Sequence, residues 1–176
     1  TISGTLKNGD DQDIVYTVTA TNSYGSTTTT FSFQARDQSE MTTPGMIGCY
    51  WNQITECRTP EFDFFYKTPA QHCQTVGEVR FTDNNVDNTW PGLDRRFLDY
   101  YSAYFYSYII ITRPGTYEFA LSSDDGAILY IDDLENALIT RDGCRALSET
   151  LGSKTLTRGR HLLVIRYLEY NQWASM

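Results

Sequence analysis

The sequence predicts an all-β protein, and three observations carry that expectation. Thirteen Tyr, nine Phe and three Trp in 176 residues, set among many threonines, are the residue types that suit a pleated, half-buried surface. The stretch from Gly115 to Ile131 then alternates apolar and polar positions. Tyr117, Phe119 and Leu121 share one face before Asp124, Asp125 and Gly126, and Ile128 and Tyr130 share one after them. That period of two reads as two half-buried strands meeting at the acids. No stretch of helical period reaches a useful length, and Glu135 to Arg145 reads as loop.

Taken in chain order, residues 1–36 form a first module. Asn8 and Gly9 give a two-residue turn signal. Val15 to Ala20 is rich in β-branched residues, Asn22 to Gly25 is a turn, and Ser26 to Phe33 returns as a Thr-rich strand with Phe31 and Phe33 on one face. Residues 37–44 are polar and run into Pro44 and Gly45, a composition suited to a linker. The second module, 45–176, opens on a glycine-rich strand that leads to Tyr50 and Trp51. Phe97 to Ile111 reads as one long aromatic strand or two. Arg113, Pro114 and Gly115 then turn the chain into the strand before Asp124. Leu151 to Leu156 leads to a turn at Arg158 and Gly159, and His161 to Glu169 is the last strand.

The balance of 14 basic against 22 acidic residues gives a net charge of −8. No Lys/Arg cluster offers a stripe for phosphates, so nucleic acid is not an expected partner. The longest apolar run, Tyr108 to Ile111, is far too short to cross a bilayer as a helix. No secretory leader opens the sequence, but the chain reads as a segment of a longer protein, its second module truncated at the C-terminus. The four cysteines, Cys49, Cys57, Cys73 and Cys144, show no spacing of the zinc type. They fit two disulfides in an oxidising compartment, with three pairings open and free buried thiols as the alternative.

Two resemblances refine this outline. Thr1 to Thr5 and Tyr16 to Gly25 resemble the last strands of Ig-like repeats in surface proteins, about the C-terminal half of one repeat. From Gly45 onward the order of features resembles the PA14 domain, a β-sandwich module of bacterial toxins, yeast adhesins and other surface proteins. These features are an aromatic strand, a Pro-Gly turn, Asp124-Asp125-Gly126 followed by Leu129, Tyr130, Ile131 and Asp132, a Gly159-to-His161 turn, and Tyr167 two residues before Glu169. The resemblance implies a PA14-like β-sandwich preceded by Ig-like strands.

It also implies a calcium site. Calcium takes six to eight oxygens, mostly carboxylates and main-chain carbonyls. Neighbouring side chains of a regular strand point to opposite faces, so Asp124 and Asp125 can share one ion only where the backbone is irregular. In the lectin members an Asp-Asp pair joined by a cis peptide achieves this, and a loop after the late strand adds an Asn side chain and two carbonyls. Carried onto this sequence, the ligands are Asp124, Asp125, Glu169 in the place of that Asn, and the carbonyls of Asn171 and Trp173. Tyr170 and Trp173 are the candidate sugar contacts. Glu169 departs from the lectin pattern and adds negative charge. The alternative is a tight turn whose carboxylates accept main-chain N–H groups.

Other groupings are weaker. Asp83, Asn85, Asp87 and Asp94 echo the spacing of a calcium-binding EF-hand loop, but Asn88 holds the position that needs Gly, and Pro91 interrupts it. Asp10, Asp11 and Asp13 read as a solvated turn. His161 reads as structural, and His72 sits beside Cys73, where a disulfide outweighs a nucleophile pair. No serine-hydrolase, zinc-protease or phosphate-loop motif occurs, so an enzyme is not expected. The expectation is an extracellular, cell-surface, calcium-dependent carbohydrate-binding or adhesive module, with glycans or neighbouring surface-protein chains as partners. The alternative is a structural packing module of a filament, wall or appendage.

Overall fold

The computed structural model describes the main chain of residues 2–3, 13–22 and 25–34, and residues 45–52, 54–81, 89–171 and 174–176 in full. The chain divides into two compact units, Thr1–Pro44 and Gly45–Met176. In the first, β1 (Ile2–Ser3), β2 (Asp13–Asn22) and β3 (Gly25–Gln34) form an antiparallel sheet in the order β1-β2-β3. Asn22 pairs with Gly25 and Asp13 with Gln34, as the β-branched runs predict. The turn expected at Asn8 and Gly9, the acids Asp10 and Asp11, the side chain of Asp13 and the linker 37–44 lie outside the described residues.

The second unit is built on a six-stranded antiparallel sheet in the order β5-β4-β6-β11-β8-β9. Its strands are β4 (Met46–Asn52), β5 (His72–Val76), β6 (Tyr101–Ile111), β8 (Gly126–Ile131), β9 (Ile139–Arg141) and β11 (Gly159–Glu169). A two-stranded sheet pairs β7 (Gly115–Ser123) with β10 (Ser148–Leu156) along their whole lengths. Leu121 joins the main core, while Leu156, with Tyr117 and Phe119 beside it, packs on Ile111 and Ile131 of the larger sheet. Together they make a two-layer all-β fold, the sandwich that the alternating pattern predicts. Among the described residues no helix is long and apolar enough to cross a membrane.

The core between the layers is aromatic. Phe81 stacks on Trp90 with ring centroids 4.1 Å apart, and Trp90 in turn meets Tyr167 at 4.8 Å and Tyr101 edge-on at 5.6 Å. Tyr50, Phe97 and Phe105 complete the group, all essentially without exposure. Rings of this size each remove a large apolar area from water.

Three local expectations change. β8 is buried at all six positions rather than half-buried, because both faces of the larger sheet are covered at this strand. Ala127 and Leu129 face the main core, whereas Ile128 and Tyr130 lie with Val164 beneath Phe62 and Leu134. The covering comes from α1 (Phe62–Lys67), a six-residue helix the sequence did not announce. Its rings hold it in place, Phe65 against Trp51 at 4.9 Å and Phe62 against Tyr130 at 5.0 Å. Such a short helix depends on packing rather than on propensity. Finally, Glu135 to Arg145 is loop except for β9, whose Ile139 is drawn into the core against β8.

All four cysteines are paired, Cys49 with Cys73 and Cys57 with Cys144. The first joins neighbouring strands β4 and β5, and it leaves no thiol beside His72. The second spans 87 residues and ties the segment before α1 to the loop after β9. Arg166 is buried on the outer face of the sheet. It donates to the Pro60 carbonyl and the Glu61 carboxylate and lies 4.5 Å over the Phe62 ring. His161, also buried, faces the Asp132 carboxylate through Nδ1 at 2.6 Å and the Thr157 carbonyl through Nε2 at 2.9 Å. That is the structural role expected of it. The Asp132 partner, and then the Thr157 carbonyl, hold its pKa above the usual histidine value.

Closing a loop of 87 residues removes more unfolded-state entropy than closing one of 24, by chain statistics about 4–5 against about 3 kcal/mol. Urea denaturation of the Cys57→Ala/Cys144→Ala double variant should therefore show the larger loss of the two. The Cys49→Ala/Cys73→Ala variant supplies the comparison.

Candidate functional site

The junction between β7 and β8 is where the sheets diverge and the backbone leaves strand geometry. The Asp124–Asp125 peptide is cis, and Asp124 makes an isolated antiparallel bridge to Ser175, each donating its N–H to the other's carbonyl. Gly126 follows because nothing larger fits. A β-carbon there would lie 2.9 Å from the backbone N and O of Gly143, closer than a packed interior tolerates.

Three main-chain N–H groups point at the two carboxylates. Asp125 accepts from Arg145 through Oδ1 and from Tyr170 through Oδ2, both at 2.9 Å, and Asp124 Oδ2 accepts from Leu147 at 3.1 Å. Arg145 and Leu147 belong to the loop that the Cys57–Cys144 disulfide anchors, and Tyr170 begins the segment after β11. The acid pair therefore gathers two distant loops. These are the N–H contacts expected of a turn.

Glu169 is the third acid. It ends β11 with 0% exposure. Its Oε2 lies 2.9 Å from the Tyr167 hydroxyl, which also reaches the Asp124 carbonyl. Its Oε1 is buried with no hydrogen-bond partner. Burial first, and then the charges of Asp125 and Asp124, push its pKa up to about 9. The Tyr167 hydroxyl faces two acceptors, Glu169 Oε2 and the Asp124 carbonyl, and has one proton to donate. A neutral Glu169 carboxyl, with a proton of its own, suits this pair of contacts.

Of the residues singled out from sequence, Asp124, Asp125, Glu169 and Tyr170 are brought together. Asn171 is exposed and follows directly, and Trp173 lies outside the described residues. Among the described residues no three His, Cys, Asp or Glu side chains form a ready-made metal cage, so an ion here would need main-chain or Asn oxygens as well, as calcium sites commonly use. Two of the three acids, Asp125 and Glu169, are buried, and Glu169 has a carboxylate oxygen without a hydrogen-bond partner. The sequence reading missed the loop carrying Arg145 and Leu147, since nothing local marks it as reaching Asp124. Tyr167 was visible only through its spacing to Glu169. The EF-hand echo does not form a site among the described residues. Asp94 is taken by Arg96, with two contacts of 2.8 and 2.9 Å from Nε, and residues 83–88 lie outside them.

The fold and this loop-borne acidic site define the class, a two-layer β-sandwich module with its polar site where the sheets diverge. The chain belongs to the PA14 domain family, whose model matches residues 42–136. Among solved structures it is similar to a PA14 sugar-binding domain from an RTX adhesin. That match has a TM-score of 0.62 at 17% identity and covers 76% of this chain and 87% of that one. It is also similar to the PA14 domain of the antifreeze protein MpAFP (0.58, 18%, covering 80% and 85%). A third similar structure is an anti-sigma factor domain-containing protein from Clostridium clariflavum (0.57, 17%, covering 93% and 52%). At these identities the likeness is one of fold. Among curated proteins nothing matches the sequence significantly.

The raised pKa of Glu169 has a direct consequence for stability. Its folded value, about 9, lies above the ordinary 4.5, so folding favours the protonated acid between those limits. The contribution is whole below about pH 4.5 and is lost as pH rises toward about 9. In chelator, the melting temperature of the wild type should fall across that window. Glu169→Gln, which imitates the neutral acid, should flatten the fall and raise the melting temperature at its alkaline end.

Proposed function

We propose that this chain is a calcium-dependent carbohydrate-binding module of a larger extracellular surface protein, in which the PA14 unit follows the last strands of an Ig-like repeat. The observation that carries the reading is Glu169, a fully buried carboxyl with one unpartnered oxygen, set beside two further acids. Burying Asp125 and Glu169 together, with Asp124 half-buried beside them, is costly unless a proton or a cation compensates, and the main-chain N–H contacts of a simple turn leave Glu169 unexplained.

Asp124, Asp125 and Glu169, with the main-chain oxygens of Asn171 and Trp173, would hold calcium. The ion would supply positive charge for two neighbouring hydroxyl oxygens of a sugar. This chain's own residues do the rest. Arg145, Leu147 and Tyr170 orient the two aspartates through their N–H groups. Tyr167 aligns Glu169 with Asp124. The reading is one of binding, in which each of these residues holds the ion or orients a group that does. The described similarity to an adhesin's sugar-binding domain supports the fold on which such a site is displayed.

A second reading, a packing module between neighbouring chains, draws on one observation. Ile47, Tyr108 and Ile110 stand on the outer face of the larger sheet with 40%, 42% and 64% exposure. Concentration-dependent association in analytical ultracentrifugation, abolished by Tyr108→Asp/Ile110→Asp, would favour it.

For the first reading, titration calorimetry on the full chain should show saturable calcium binding that Asp125→Ala abolishes. Because the Glu169 proton must leave, affinity should increase as pH rises toward about 9 and each ion should release close to one proton. A glycan array should then give binding that chelator removes. Calcium binding with a silent array in both conditions would end the carbohydrate claim.

A further inference from the structure

Tyr100 stands against the same site, and its conformation is costly. It lies between the short 3-10 turn Arg95–Phe97 and β6, with a φ of 56°, a region that disfavours residues bearing a β-carbon and suits glycine. It is nevertheless a tyrosine, and it is 45% exposed, so core packing does not account for it. Its backbone is held on both sides. The Tyr100 N–H donates to the Tyr170 carbonyl at 3.3 Å, and the Tyr100 carbonyl accepts from Ile54 at 2.9 Å.

The two tyrosine rings meet nearly at right angles, 5.2 Å between centroids and 78° between planes. Tyr170 donates its own N–H to Asp125. Two hydrogen bonds through the Tyr170 main chain, one at its carbonyl and one from its N–H, therefore connect Tyr100 to Asp125, and the residue that pairs with the Tyr100 ring also orients Asp125. A perpendicular pair presents the electron-rich face of one ring beside the edge of the other. The electropositive C–H bonds of a pyranose ring suit that surface, whereas its hydroxyl groups suit the acids beyond it.

We propose that Tyr100 is the ring on which a bound pyranose lays its C–H face, so that the site selects sugars by which face is apolar when two neighbouring hydroxyls are turned to the acid side. This rests on the calcium-dependent carbohydrate reading above. It adds a specificity-determining residue from outside the two acid-bearing segments, and it assigns a use to a backbone conformation that stability alone does not favour.

The test separates sugar contact from structure. Glycine adopts the Tyr100 backbone without penalty, so the melting temperature of Tyr100→Gly should hold or rise and calcium affinity should stay unchanged. Affinity of the calcium-loaded full chain for the methyl glycosides of glucose, galactose, mannose and fucose, measured by calorimetry, should fall about 3- to 10-fold for those the wild type binds. Tyr100→Phe keeps the ring and should stay within about twofold of wild type. Unchanged sugar affinity in Tyr100→Gly overturns the proposal while leaving the carbohydrate reading intact. Loss of stability or of calcium binding in that variant makes Tyr100 a structural residue and overturns it too, as does loss of affinity in Tyr100→Phe. A glycan array that stays silent with the calcium-loaded wild type removes both readings together.

Discussion

A buried carboxyl beside two others sets the terms for this module. Glu169 has no exposure, and Asp125 and Asp124 raise the cost of ionising it. A group in that position either keeps a proton, receives a cation or forces its surroundings apart. Tyr167 makes the first state workable by bridging Glu169 to the Asp124 carbonyl. On the proposed reading the cation is the second state. Proton and ion are then alternatives in one place.

The rest of the unit is arranged to hold that place still. Tyr167 belongs at once to the site, through its hydroxyl, and to the aromatic core, through its ring against Trp90 and Tyr101. β11 carries both Tyr167 and Glu169 and lies between β6 and β8, so its end is restrained from two sides. The Cys57–Cys144 disulfide holds down the loop whose Arg145 and Leu147 N–H groups orient the aspartates. Gly126 lets the backbone of that loop come close. Groups positioned by strands and cross-links lose little further freedom when they bind a ligand.

Charge elsewhere is handled differently, and the contrast is informative. Arg166, as buried as the acids, is neutralised by Glu61 and covered by the Phe62 ring. His161 has an acceptor at each ring nitrogen. Each has a carboxylate partner within the chain, Glu61 for Arg166 and Asp132 for His161, although the Arg166 Nε is buried with no hydrogen-bond partner. Glu169 instead has a buried Oε1 with no hydrogen-bond partner, beside two further acids that oppose its ionisation.

Much of this was legible in the sequence. Period-two alternation located β7 and β8, the aromatic run located β6, and the acid pair with Tyr167 and Glu169 stood out by type and spacing. These are local properties, because side-chain direction in a strand repeats every two residues whatever the strand's neighbours are. What the sequence left open was long-range. The order β5-β4-β6-β11-β8-β9 is not sequential, so spacing along the chain could not say which cysteines would pair. It could not say that Leu147 would reach Asp124, that α1 would bury the outer face of β8, or that Tyr100 would stand against Tyr170. By itself the sequence determined the strands and the chemistry they carry. Only the tertiary structure decided which distant groups meet, because those meetings depend on sheet order and on burial that no local pattern encodes.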